Sequence, residues 1–202
     1  MRRSSMTLFS DPTCQFSHRV RIVLAEKGVT VEIENTETDC VTDEILEANP
    51  YGTFPTLVDR DLALYKSTVI MEYLDERFPH PPLLPVYPVS RAESRLWIYR
   101  IERDWCSLIP KIEVQDSDEA RSELRDSIVS IASIFDEMPY FMSEEFTLVD
   151  CCLAPLLWRL PSYSISLPKD RQTTPLLSYM DKLFERDAFQ SSLSDLEREI
   201  RA

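Results

Sequence analysis

The spacing of apolar positions changes character at a cluster of prolines. Before Pro79, short apolar runs alternate with helical spacings. Met6-Thr7-Leu8-Phe9 reads as a buried strand. Ser17 to Lys27 reads as a helix with Val20, Val23 and Leu24 on one face. Lys27 favours the dipole at its end, and Gly28 suits the left-handed position just beyond it. Val31-Glu32-Ile33-Glu34 alternates like a half-buried strand. Asp43 to Ala48 is a short helix, and Asn49-Pro50-Tyr51-Gly52 is a turn. Thr56-Leu57-Val58 and Leu62-Ala63-Leu64-Tyr65 form two strands around Asp59-Arg60-Asp61. Ser67 can cap a helix whose core face is Ile70, Tyr73, Leu74 and Phe78. The order β-α-β-α-β-β-α predicts a parallel first pair joined by a right-handed crossover.

Pro79, Pro81, Pro82, Pro85 and Pro88 make a stiff, extended segment. Beyond it the pattern is helical. Pro88 suits the first turn of a long helix, with Ala92, Leu96, Tyr99 and Cys106 roughly along one stripe. Ala120, Leu124, Ile128, Ile131 and Phe135 give a clean stripe on the next helix, entered through Asp116, Asp118 and Glu119. Thr147-Leu148-Val149-Asp150 starts a helix, with Thr147 as cap and Asp150 reaching back to it. The apolar run Cys151 to Leu160 reads as a buried central helix that Pro155 should kink or end. Leu176 to Phe184 and Phe189 to Ile200 supply further helices. The expected organisation is an α/β domain at residues 1–82, a linker at 83–87 and an all-α domain at 88–202.

Composition narrows the function. The chain has 202 residues, 44% of them hydrophobic, enough for a sizeable core. No run is long enough to cross a bilayer. The basic opening Met1-Arg2-Arg3-Ser4-Ser5-Met6 leads into too short an apolar run for an export signal, which predicts the cytoplasm. With 22 Lys+Arg against 35 Asp+Glu the net charge is −13. Such a chain repels phosphate backbones, so direct nucleic-acid binding is a poor fit; docking on a basic protein surface suits it better. Five cysteines, with no C-x-x-C and only two histidines, point to reduced thiols and away from a metal site. The adjacent Cys151-Cys152 pair reads as core volume.

Three motifs carry a resemblance to the glutathione-transferase superfamily. Asp11-Pro12-Thr13-Cys14-Gln15-Phe16-Ser17-His18 looks like its active-site turn between first strand and first helix. Gly52-Thr53-Phe54-Pro55-Thr56-Leu57 looks like its cis-proline strand. Thr147 to Asp150 matches the capping motif of its helical domain. The implied fold is a thioredoxin-like α/β domain followed by an all-α domain. Val23 to Gly28, Ile70 to Leu83 and Leu153 to Pro161 resemble the stringent starvation protein A family more narrowly, over nearly the whole chain. That resemblance implies a non-catalytic bacterial transcription regulator of the starvation response. It would be a homodimer that binds RNA polymerase, alone or with a sigma factor, and it would need no cofactor.

Each candidate residue has a functional and a plainer reading. Cys14 precedes a helix N-terminus, where amides and dipole favour a thiolate able to attack a disulfide; the plainer reading is an inert thiol. The resemblance makes Cys14, Ser17, Phe54, Pro55, Lys66 and Ser67 positions of a vestigial glutathione site, with Pro55 cis. Lys66 departs from the pattern, because many transferases place an acid or amide where it would repel the ligand's ammonium. Otherwise Lys66 faces solvent and Ser67 only caps a helix. Pro79, His80, Pro81, Pro82, Leu83 and Tyr87 form either a stiff linker or a docking surface ordered before binding, and the resemblance favours docking. His18 is a surface group, a hydrogen-bonding group or a dimer contact. The rival function is a glutathione-dependent thiol transferase using Cys14.

Overall fold

In the computed structural model, which describes residues 6–37 and 40–201, four strands form one mixed sheet in the order β2-β1-β3-β4. The basic opening Met1 to Ser5 lies outside the described residues. Strand β1 (Met6–Ser10) pairs in parallel with β2 (Glu32–Asn35) and antiparallel with β3 (Thr56–Asp59), which pairs antiparallel with β4 (Leu62–Tyr65). Helix α1 (Gln15–Glu26) makes the crossover between β1 and β2, and α2 (Asp43–Ala48) and α3 (Ser67–Arg77) follow in the predicted order. The core here is apolar: Leu8, Val20, Val23, Ile45, Leu57, Ile70 and Leu74 are all buried. Gly28 and Gly52 adopt the left-handed backbone that favours glycine, at φ 63 and 58.

Expectations for β2 and Lys27 change. The β2 alternation does not give a half-buried strand: Glu32 to Asn35 are all exposed, because β2 is an edge strand with a neighbour on one side only. Lys27 does more than face a helix end. Its buried ammonium donates to Asp75 Oδ1 at 2.6 Å and to the Pro81 carbonyl.

The chain divides into two compact units, one running to Pro82 and also holding Asp187–Ile200, the other Leu83–Arg186. The division differs from the expected one at both ends of the helical region. Residues 83–87 are part of the second unit, since Leu83 and Leu84 are buried and the Leu83 carbonyl accepts from Leu148 N–H at 2.8 Å. The stretch from Phe189 to Ile200 returns to the first unit as two short helices, α9 (Asp187–Ser192) and α10 (Asp195–Glu199), with α9 packed on α1.

The second unit is helical: α4 (Pro88–Arg100), α5 (Ile109–Gln115), α6 (Asp118–Ser130), α7 (Leu148–Trp158) and α8 (Thr174–Phe184). Pro88 does open α4. Ala92, Leu96 and Tyr99 share a face of α4, but that face is exposed. The buried row is Ser94, Ile98, Ile101 and Trp105. Ser94 can sit there because its hydroxyl donates to the Ser90 carbonyl at 2.9 Å. The chain then tightens through a five-residue π turn, Ile101–Trp105, before α5. On α6, Ala120, Leu124 and Ile128 are buried, while Phe135 lies in a following short helical turn and stacks on Tyr179 at 3.9 Å. Helix α7 is buried at every position and does not end at Pro155. Packing of an all-apolar helix outweighs the one hydrogen bond that proline forfeits.

Candidate functional site

Strand register gathers the transferase-like residues at one end of the sheet. Phe9 pairs with Thr56, and Thr56 pairs with Tyr65. The end of β1, Pro55 before β3, and Lys66 after β4 therefore sit side by side. The Phe54–Pro55 bond is cis. Asn49, buried beneath this turn, donates to the Thr53 carbonyl at 2.9 Å and to Thr56 Oγ1 at 3.0 Å, which fixes the approach to Pro55.

Cys14 is the residue that caps α1 from outside, half-buried and in extended backbone. The turn ahead of it is organised by Asp11. Its Oδ1 accepts from Thr13 N–H at 2.7 Å, Thr13 Oγ1 at 2.8 Å and Cys14 N–H at 3.1 Å. Asp11 N–H donates to the buried Ser17 hydroxyl at 3.2 Å. Ser17 thus serves the turn.

Ser67 does not cap α3. Lys66 holds the cap position with φ 72 and points into solvent, while Ser67 is the first helical residue. Its Oγ is buried and has no hydrogen-bond partner among the described residues. An unpaired hydroxyl beside a helix N-terminus suits a carboxylate. These residues fit the acid end of a peptide-like thiol ligand, whereas Lys66 stands where its amine would need a negative or neutral neighbour.

The proline segment is exposed from Pro79 to Pro82, and its His80–Pro81 bond is also cis. The Lys27 ammonium ties it down through the Pro81 carbonyl, with Asp75 as counter-ion. Leu83 is removed from the docking set, because it is 2% exposed and belongs to the core of the second unit. In that unit Val86 and Tyr87 are exposed at 75% and 77%, and the Pro85 carbonyl accepts from Arg91 Nε at 2.9 Å.

Of the three readings of His18, the hydrogen-bonding one holds. His18 is neither a surface group nor a dimer contact. It is fully buried, with Nε2 3.0 Å from Ser192 Oγ and Nδ1 3.6 Å from Glu197 Oε1. Arg21 donates to Glu197 Oε2 at 2.6 Å, the Ser192 carbonyl at 2.9 Å and Ser10 Oγ at 2.6 Å. Only the helical spacing of His18 and Arg21 hinted at a shared face. Ser194-Asp195-Leu196-Glu197 has the capping-box spacing of a helix start, but nothing local linked it or Ser192 to α1. The predicted helix start at Thr147 forms as read: its Oγ1 accepts from Val149 N–H at 3.2 Å, and Asp150 Oδ2 accepts from Thr147 N–H at 2.8 Å.

Residues 8–82 match the glutathione S-transferase N-terminal domain, and residues 96–187 match the glutathione S-transferase C-terminal domain. A tau-class glutathione S-transferase from mango superposes with a TM-score of 0.84 at 20% identity, over 97% of this chain and 96% of that one. An omega-class transferase from Trametes versicolor gives 0.83 at 23% identity, over 95% and 85%. These likenesses establish a glutathione-transferase-like fold. A stringent starvation protein A homologue from Pasteurella multocida is 54% identical over 95% of this chain and 92% of its own. Another, from Coxiella burnetii, is 51% identical over 100% and 97%. The chain belongs to the stringent starvation protein A family. Among the described residues, no helix is long and apolar enough to cross a membrane.

Proposed function

We propose that this chain is a non-catalytic transcription regulator that binds RNA polymerase in the cytoplasm as a homodimer, during starvation. The observation that carries the reading is the exposed Pro79-His80-Pro81-Pro82 run, held in place by Lys27. Prolines and a buried ammonium order it before any partner arrives, so little conformational freedom is lost on docking. The net charge of −13 suits basic surfaces of a polymerase or sigma factor, with no contact to DNA needed. Membership of the stringent starvation protein A family supports the same reading. The exposed apolar face of α4 supports assembly with another surface.

The test is His80→Ala with Pro82→Ala, which leaves the Pro81 carbonyl on Lys27. Both side chains are exposed, so stability should shift by only about 0.5 kcal/mol. Polymerase affinity should fall by roughly a hundredfold, since interfaces concentrate energy in few residues. A pull-down and a melting curve on the same variant decide it. Normal melting with undiminished polymerase capture removes this surface.

A second reading is favoured by one observation, the buried Ser67 hydroxyl with no hydrogen-bond partner near Cys14 and the cis Pro55. That reading is a glutathione-dependent thiol transferase, and Lys66 speaks against it. Calorimetric binding of glutathione, with turnover abolished by Cys14→Ser, would reverse the ranking.

A further inference from the structure

We propose that the outer edge of β2 is a docking site for an extended peptide segment that alternates basic and apolar side chains and adds to the sheet as a further strand. The site is separate from the Pro79–Pro82 surface and rests on none of its arguments.

Strand β2 ends the sheet and pairs on one side only, with β1. Thr36 N–H continues that ladder by donating to the Ser10 carbonyl at 2.9 Å. In a parallel ladder, alternate residues turn their backbone groups to the same neighbour. Thr36 faces β1, so Glu34 and Glu32 do too. The N–H and C=O of Ile33 and Asn35 are left directed outward, with no partner among the described residues, able to accept another strand.

The side chains of β2 sort by the same alternation. Ile33 and Asn35 line a cavity of about 370 Å³ whose other walls include Leu24, Val29 and the Ser191–Ser194 turn. Glu32 and Glu34 do not line it, and both are exposed. Cross-strand neighbours share a face of the sheet. A strand added along β2 therefore sets two of its side chains beside the Glu32 and Glu34 carboxylates. The side chain between them lies over Ile33 and toward the cavity. Charge complementarity makes the outer two basic and the middle one apolar. A second copy of this chain is the wrong occupant, because β2 against β2 places glutamate opposite glutamate. The carboxylates thus guard the edge against self-pairing and select a cationic partner.

The probe is a short synthetic peptide of alternating lysine and valine, titrated calorimetrically into the full chain. Binding is expected, together with slowed amide exchange at Ile33 and Asn35. Glu32→Lys with Glu34→Lys should weaken binding by roughly tenfold or more while melting stays unchanged, since two attractive pairs become repulsive at exposed positions. N-methylation of the valine amides should also weaken binding, with no change to the protein. The His80→Ala/Pro82→Ala variant should bind the peptide normally, and the β2 variant should capture polymerase normally. Failure of one site is therefore distinguishable from failure of the other. Each of three results overturns the proposal: no binding; equal binding of a same-composition peptide with lysines and valines in blocks; or unchanged exchange at Ile33 and Asn35.

Discussion

Among the described residues each unit contains one fully buried carboxylate, and the two differ in the charge of their tertiary partners. Asp150 in the second unit meets only uncharged donors. Its Oδ1 accepts from Phe141 N–H at 3.0 Å and Tyr179 O–H at 2.7 Å, its Oδ2 from Thr147 N–H at 2.8 Å and Thr147 Oγ1 at 3.1 Å. Burial raises its pKa above the ordinary carboxylate value, and those hydrogen bonds only partly oppose the rise. Glu197 in the first unit meets a cation, Arg21, at 2.6 Å, with Ser194 N–H at 2.9 Å as a further donor. Asp150 locks a helix start largely within four residues of chain. Glu197 holds a distant return segment against α1. Both acids close a capping box locally; Asp150 adds neutral tertiary donors, and Glu197 adds a tertiary ion pair.

The largest effect should come from Glu197. Glu197→Ala leaves the Arg21 guanidinium buried without its carboxylate, which costs about 3–5 kcal/mol. In a chain of this size that is a fall of about 10 °C or more in Tm. Exchanging both partners for apolar residues, Arg21→Met with Glu197→Leu, should recover much of the loss, because no charge is then stranded. Differential scanning calorimetry on the three proteins checks this. A single variant that melts like the wild type would mean that α9 and α10 are held by apolar packing alone.

The same contrast explains which parts of the structure could be read from sequence. The strand and helix order of the first unit was legible because Leu8, Val23, Leu57 and Ile70 follow simple periods. The Thr147–Asp150 start was legible because a capping box is contiguous. The turn at Phe54–Pro55 was legible through the residues around it. Three things were hidden. The outward face of α4 has the same spacing as an inward one, so the stripe of Ala92, Leu96 and Tyr99 does not tell which side it faces. Leu83 follows directly on the exposed proline run, and only its contact with the start of α7 shows that it is core. The Arg21–Glu197 and Lys27–Pro81 pairs join residues whose local patterns say nothing of each other.

Asp150→Ala should be the next largest loss. It strands the Phe141 and Thr147 amides and the Tyr179 hydroxyl, all neutral, at about 2–4 kcal/mol. The loss should also depend on pH. Because the folded carboxyl binds its proton more tightly than the unfolded one, the native state holds more protons between the two pKa values. Stability from this group is full in acid and declines as pH rises from the unfolded value through the raised folded one. The gap in urea midpoint between wild type and Asp150→Ala should therefore narrow as pH climbs through that window. A gap that widens instead would mean that the carboxylate, not the acid, is the form the fold prefers.

The smallest change sharpens the comparison most. Tyr179 has its own pKa raised well above 10.0, first by burial and then by the Asp150 carboxylate, so it stays a neutral donor. Tyr179→Phe keeps the aromatic ring that stacks on Phe135 and removes only the hydroxyl. The direct cost is about 1–1.5 kcal/mol. The hydroxyl is also the strongest of the hydrogen bonds that hold the Asp150 pKa down, so removing it lets that pKa climb further. The variant then goes on losing stability over a stretch of pH where the wild type has already levelled off. Its deficit in urea midpoint should grow as pH rises from the unfolded carboxyl value through the raised folded one. A deficit independent of pH would show that Asp150 keeps one protonation state throughout. The hydroxyl would then act on Asp150 through geometry and not through its charge.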